Sequence, residues 1–136
     1  MDKTKMLAHV PLFAHLDKRA LAQLATMVDE VDVDAGTVLM TEGRSGREFF
    51  VIVEGTVDVT RGGRHLRSLA TGDFLGEIAL LDDGPRTATA TATSPCHLLV
   101  LTHREFDTLI ADHADVRAAV MQALAERVRG LDAAAT

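Results

Sequence analysis

The sequence predicts a small, mainly β fold, a jelly-roll or barrel with helices at both ends of the chain. Three observations predict it. From residue 29 onward, apolar and polar residues alternate with a period of two over short segments, as they do in half-buried strands. Glycines at positions 36, 43, 55, 62, 63 and 72 punctuate those segments, the spacing expected between the short strands of an all-β sandwich or barrel. On either side of this stretch the apolar spacing changes to three and four residues, which is the helical period.

Each element follows from its residues. Over residues 6–28, Leu12, Leu16, Leu21, Leu24, Ala25 and Val28 mark amphipathic helix, broken at Pro11 and restarted behind Asp17 as N-cap. Val31 and Val33 alternate with aspartates as a half-buried strand, Asp34-Ala35-Gly36 turns, and Val38-Leu39-Met40 forms the next strand. Phe49 to Val53 is a continuous apolar run, expected of a strand covered on both faces. Val57 and Val59 open a hairpin whose turn is Arg61-Gly62-Gly63-Arg64, since paired glycines accept the positive φ of a two-residue turn. Leu66 and Leu69 lead to a turn at Gly72-Asp73. Thr87 to Thr93 alternates Thr with Ala, a strand with one small-residue face, and His97 to Leu101 is one more apolar strand. Thr102-His103-Arg104-Glu105 fits a capping box and starts a helix. Val116, Val120, Leu124 and Val128 give a last helix, roughly 115–130.

The chain therefore reads as one domain over residues 1–136: N-terminal helices in 1–28, the barrel in 29–101 and C-terminal helices in 102–131. Fourteen Lys and Arg against twenty Asp and Glu leave a net charge of −6, which argues against binding a nucleic-acid backbone. One cysteine, Cys96, is too few for a disulfide framework or a Cys-rich zinc site. No apolar run reaches the ~20 residues of a membrane-spanning helix, and the N-terminus lacks the apolar stretch of a signal peptide. A cytoplasmic protein is expected. None of the histidines at 9, 15, 65, 97, 103 and 113 has metal-ligand spacing, so no metal and no catalytic residue is expected, and a metal-dependent cupin enzyme is the wrong class of small barrel.

The chemistry concentrates in residues 72–89. Gly76 permits close backbone approach, and Glu77 to Leu81 can form one helical turn whose free N–H groups suit an anionic oxygen. Arg86, behind Gly84-Pro85, can add a two-pronged charged contact to the same anion. Glu77 would repel that anion unless it accepts hydrogen bonds from a neighbouring hydroxyl. A phosphate beside a sugar hydroxyl describes a nucleotide.

The segments Gly76-Glu77-Ile78-Ala79-Leu80-Leu81 and Pro85-Arg86-Thr87-Ala88-Thr89 resemble the phosphate-binding cassette of the cyclic nucleotide-binding domain family. That family includes regulatory subunits of cAMP-dependent protein kinase, the catabolite activator protein and cyclic nucleotide-gated channels. The resemblance implies an eight-stranded jelly-roll with two C-terminal helices. It also implies that Glu77 holds the ribose 2′-hydroxyl and Arg86 the cyclic phosphate. Backbone amides around Gly76, Ile78, Ala79 and Ala88, with the Thr87 hydroxyl, would complete the cradle. From the residues themselves, Leu75 and Ile78 read either as pocket lining or, as an apolar pair in a loop more often is, as plain core. The resemblance further implies that the last helix covers the purine; from the residues themselves, Arg127 and Arg129 can stack on the base, and the alternative is a helix packed permanently on the barrel or paired with a second subunit.

The expected function is a non-catalytic sensor of cAMP, with cGMP the alternative ligand and no cofactor, signalling through movement of the last helix, which is also the surface expected to meet an effector or a second copy. An interaction domain that keeps the jelly-roll and binds no nucleotide is the competing class. In it, Arg86 would merely close a loop onto Asp82 or Asp83 with Glu77 as partner. Catabolite-activator relatives continue into a DNA-binding domain where this sequence ends at Thr136, and both a stand-alone sensor and a piece of a longer protein fit that ending. Arg61, Arg64 and Arg67 read as a solvated hairpin tip, as do Glu54 and Asp58 nearby, and Cys96 as a packed residue at a strand start.

Overall fold

The alternating segments resolve into two four-stranded antiparallel sheets in a computed structural model that describes residues 3–10, 13–14, 16–76, 84–114, 117–118, 121–122 and 125. The strands are β1 (Asp29–Val33), β2 (Val38–Met40), β3 (Glu48–Glu54), β4 (Val57–Arg61), β5 (Arg64–Leu69), β6 (Phe74–Leu75), β7 (Thr89–Ala92) and β8 (Cys96–Thr102). One sheet has the order β1-β8-β3-β6 and the other β2-β7-β4-β5. First strand pairs with last, second with seventh, third with sixth and fourth with fifth. That nested pairing is the jelly-roll. The β4–β5 turn carries its two glycines at positive φ, +59° at Gly62 and +78° at Gly63, as the Gly-Gly pair requires.

Two cores result, and they share β3 and β8. Between the sheets pack Met40, Phe50, Ile52, Val57, Val59, Leu75 and Leu98, with the alanines of the Thr/Ala segment, Ala88, Ala90 and Ala92, fully covered. On the outer face of the β1-β8-β3-β6 sheet, Phe49, Val51, Leu99 and Leu101 pack against Leu7, Leu21 and Leu24 of the N-terminal helices and Phe106 and Leu109 that follow the barrel. Alternate residues of β3 thus serve different cores, which is why its sequence runs apolar without a polar side. Phe49 meets Phe13 edge-on with ring centroids 5.7 Å apart, an arrangement favoured by the ring quadrupoles.

The helices are α1 (Lys3–Ala8), α2 (Lys18–Met27) and α3 (His103–Asp112). Asp17 caps α2 by accepting from the Ala20 amide at 2.8 Å. Thr102 caps α3, its hydroxyl accepting from the Glu105 amide while Glu105 accepts from the Thr102 amide at 3.0 Å. Such a cap contributes about 1 kcal/mol and fixes the angle at which the chain leaves β8.

The structure departs from the expectations in four places. The first helix begins at Lys3 rather than near residue 6. Val31 is 38% exposed because β1 is an edge strand, so its alternation does not bury a full face. β6 is a strand the sequence does not predict, since two residues are too short for a periodic signal. β7 starts at Thr89 rather than Thr87, because residues 85 and 86 pair with the loop before β3 instead of with β2. Cys96 is buried at the first position of β8, as expected. Beyond α3, residues 114, 117, 118, 121, 122 and 125 have helical backbone and are exposed; the rest of the expected last helix, including Arg127 and Arg129, lies outside the described residues. Among the described residues no helix is long and apolar enough to cross a membrane.

Candidate functional site

Arg86 is the one charged side chain buried among the described residues, at 8% exposure. Removing a guanidinium from water is costly unless its N–H groups are met, so its surroundings carry the information. Its backbone is fixed by a short ladder with the β2–β3 loop: the Arg86 amide donates to the Arg44 carbonyl at 2.8 Å and its carbonyl accepts from the Gly43 amide at 2.9 Å. Ser45 and Pro85 form an isolated bridge beside them. From this anchored backbone the side chain reaches the start of β3, where Nη2 donates to the Glu48 carbonyl at 2.7 Å. The Glu48 carboxylate stands 3.9 Å from the same nitrogen and is half exposed, so the carbonyl, rather than the ion pair, holds the guanidinium.

Two glycines make room for it. A Cβ on Gly46 would overlap the Arg86 Nε and lie 2.5 Å from Cζ. A Cβ on Gly76 would meet the Glu48 carbonyl at 2.7 Å and Arg86 Nη1 at 3.0 Å, and Gly76 has φ +79°. The register of β6 on β3, Phe50 opposite Leu75 and Val51 opposite Phe74, is what brings Gly76 beside the start of β3. The guanidinium is therefore seated between two stretches of backbone, at Gly46 and at Gly76, that carry no side chain of their own.

The structure brings four of the expected site residues together. Leu75 is fully buried in the core between the sheets, Gly76 follows it, and Ala88 is buried two residues after Arg86. Leu75 thus packs in the core between the sheets. Thr87 is exposed, with its carbonyl turned to accept from Arg61 Nε at 2.9 Å. Glu77, Ile78 and Ala79 lie outside the described residues, as do Asp82 and Asp83, the loop-closing partners considered for Arg86. The reading of Arg61 as a solvated tip is corrected by its bond to Thr87: the hairpin turn brings the side chain back over the segment before β7. Asp58 is also tied in, accepting from Ser68 at 2.9 Å. Gly46 and Glu48 escaped the sequence reading because their contact with Arg86 spans 38 residues or more and a glycine in a loop has no signature of its own. An apolar cavity of about 640 Å3, lined in part by Met6, Val10, Val51 and Val53, lies apart from this site and has no lysine or arginine among the described residues of its lining.

Residues 30–113 match the family model described as the cyclic nucleotide-binding domain. The chain belongs to that family. It is 32% identical to a cAMP-dependent protein kinase regulatory subunit of Yarrowia lipolytica over 79% of this chain and 29% of the relative. It is 37% identical to a cGMP-dependent protein kinase of Caenorhabditis briggsae over 78% of this chain and 15% of that protein. The chain thus spans less than a third of the length of these curated relatives. Among solved structures, the N-terminal domain of a transcriptional regulator from Streptomyces coelicolor A3(2) superposes with a TM-score of 0.81 at 34% identity, covering 96% of this chain and 92% of that one. The cyclic nucleotide-binding domain here is accordingly a regulatory nucleotide-binding module in a jelly-roll.

Gly46 is the sharpest test of the seating. The atoms in its way belong to the far end of a flexible side chain, so Gly46→Ala is expected to fold normally while displacing the guanidinium. The Arg86 Nε–Hε resonance should move in the variant, with the resonances of β1 and β8 unchanged. An unmoved Arg86 resonance would show that Gly46 does not shape the seat.

Proposed function

We propose that the chain is a non-catalytic sensor of a 3′,5′-cyclic nucleotide, cAMP first and cGMP as the alternative, whose cyclic phosphate is held by Arg86. The observation that carries this reading is the seated guanidinium: buried, fixed by the Glu48 carbonyl and flanked by Gly46 and Gly76, within a domain of the cyclic nucleotide-binding family. Gly76, Ile78, Ala79 and Ala88 would supply backbone N–H groups, Thr87 its hydroxyl, and Glu77 would accept from the ribose 2′-hydroxyl. The kinase relatives named for cAMP and for cGMP leave both nucleotides in view, and a competition measurement decides between them. A nucleotide ligand and one buried thiol suit a cytoplasmic setting.

Losing a charge-assisted, two-pronged contact costs about 1.5–3 kcal/mol, or roughly 10- to 150-fold in affinity. Calorimetry on Arg86→Ala should show that loss for cAMP or cGMP. Arg86→Lys should recover part of it, because an ammonium cannot reproduce the fork. Affinity unchanged in Arg86→Ala would defeat the assignment. Glu77 has its own comparison: the wild type should bind 2′-deoxy-cAMP more weakly than cAMP, and Glu77→Ala should bind the two alike. Equal wild-type affinities would remove Glu77 from the ribose.

The same reading gives the segment 115–131 the task of turning occupancy into a signal, by closing over the purine with Arg127 and Arg129 and presenting a changed face to an effector or a second copy. A ligand shifts such a segment only by its differential affinity for the closed state. Hydrogen exchange over 115–131 should slow on adding nucleotide; identical protection with and without it would assign the output to another part of the domain.

A further inference from the structure

The segment that carries Arg86, Thr87 and Ala88 is braced on both flanks by residues remote from the proposed ligand contacts. On one flank, Arg61 at the tip of the β4–β5 hairpin donates from Nε to the Thr87 carbonyl at 2.9 Å. On the other, the Glu42 amide in the loop after β2 donates to the Thr89 hydroxyl at 3.0 Å. The two flanks are joined, since the Glu42 carboxylate accepts from the Gly62 amide at 2.9 Å. The chain of contacts runs from Thr89 through Glu42 to the hairpin tip and back through Arg61 to Thr87. It closes through Ala88, one residue past Thr87, and the residue before Thr87, Arg86, has its own backbone tied to residues 43 and 44 of the same loop.

The geometry is particular to the hairpin. Arg61 and Arg64 close β4 and β5 as the last paired residues, and the bulge between Val59 and Thr60 twists the tip. Gly62 at positive φ turns its amide towards Glu42. A solvated hairpin tip would need none of these bonds. Each contributes modestly on its own, but together they restrict the backbone from which the Arg86 guanidinium, the Thr87 hydroxyl and the Ala88 amide project. Holding binding groups in place before the ligand arrives raises affinity without adding a contact.

We infer that Arg61 and Glu42 are positioning residues for the phosphate side of the site: the hairpin tip and the β2–β3 loop together set the placement of residues 86–88, and ligand affinity depends on both although neither residue belongs to the cradle. The inference rests on the cyclic nucleotide reading for its functional consequence and on the structure alone for the brace itself.

The test pairs each residue with a variant that keeps its bond. By the worth of one such bond, Arg61→Ala should weaken cAMP or cGMP binding about threefold to tenfold. Arg61→Lys, which keeps a donor, should regain part of that loss. Glu42→Ala should weaken binding comparably, whereas Glu42→Gln, which keeps the accepting oxygen, should match the wild type. Because the effect lies on the phosphate side, Arg61→Ala should lower affinity for cAMP and 2′-deoxy-cAMP by the same factor. Melting temperatures without ligand should differ little, both residues being at the surface. In the unliganded protein the amide resonances of Arg86, Thr87 and Ala88 should move in Arg61→Ala. If they do not move, or if wild-type affinity persists in Arg61→Ala and Glu42→Ala, the brace has no positioning role. A wild type that binds neither nucleotide, with the amides still moving, would overturn the ligand reading and leave the brace standing.

Discussion

The described part of the site depends on the seating of one guanidinium. Arg86 is buried where the start of β3, the end of β6 and the segment before β7 converge, and its Nη2 is fixed at 2.7 Å from a main-chain carbonyl. A main-chain partner cannot swing away as a carboxylate side chain can, so the charge is held by the fold itself. The nested strand pairing supplies this convergence. β6 lies antiparallel on β3 in a register that sets Gly76 beside Glu48, and the short ladder between residues 43–45 and 85–86 brings the arginine in from the other side. With a side chain at position 46 or 76 the same backbone would have no space for the group.

β3 connects this seat to the rest of the domain. Its first residue offers the carbonyl that holds Arg86, Phe50 and Ile52 fill the space between the sheets, and Phe49 and Val51 pack beneath the helices. The helical layer and the site are therefore in contact with opposite sides of one strand. Protein interiors are close-packed and do not deform smoothly, and β3 is buried on both faces over Phe49–Ile52. Phe49 to Ile52 thus pack in the helical layer and between the sheets in turn.

The sequence made the architecture legible because its signals were local. The Asp17 cap, the Thr102–Glu105 box, the Gly62–Gly63 turn and the apolar run of β3 each depend on residues within a few positions of one another. Arg86 was legible for a similar reason, through a compact motif. What was missed was long-range or too short to be periodic. β6 has two residues, Gly46 and Glu48 meet Arg86 across some 40 positions, and Arg61 meets Thr87 across 26. Leu75 shows an open alternative, pocket lining or core, for which the strand register supplies the packing between the sheets. Alternation in β1 also overstated burial, because period alone does not distinguish an edge strand from a central one.

A titration followed by backbone amide resonances tests the central claim most directly. Adding cAMP, and separately cGMP, to the nitrogen-15-labelled protein should produce saturable shifts concentrated at residues 43–48, at Gly76 and at residues 86–88, with β1 and the exposed face of α2 left in place. If both nucleotides at millimolar concentration leave those resonances unmoved, or move only residues remote from Arg86, the seated guanidinium is a structural closure of the loop and the domain does not bind a cyclic nucleotide there.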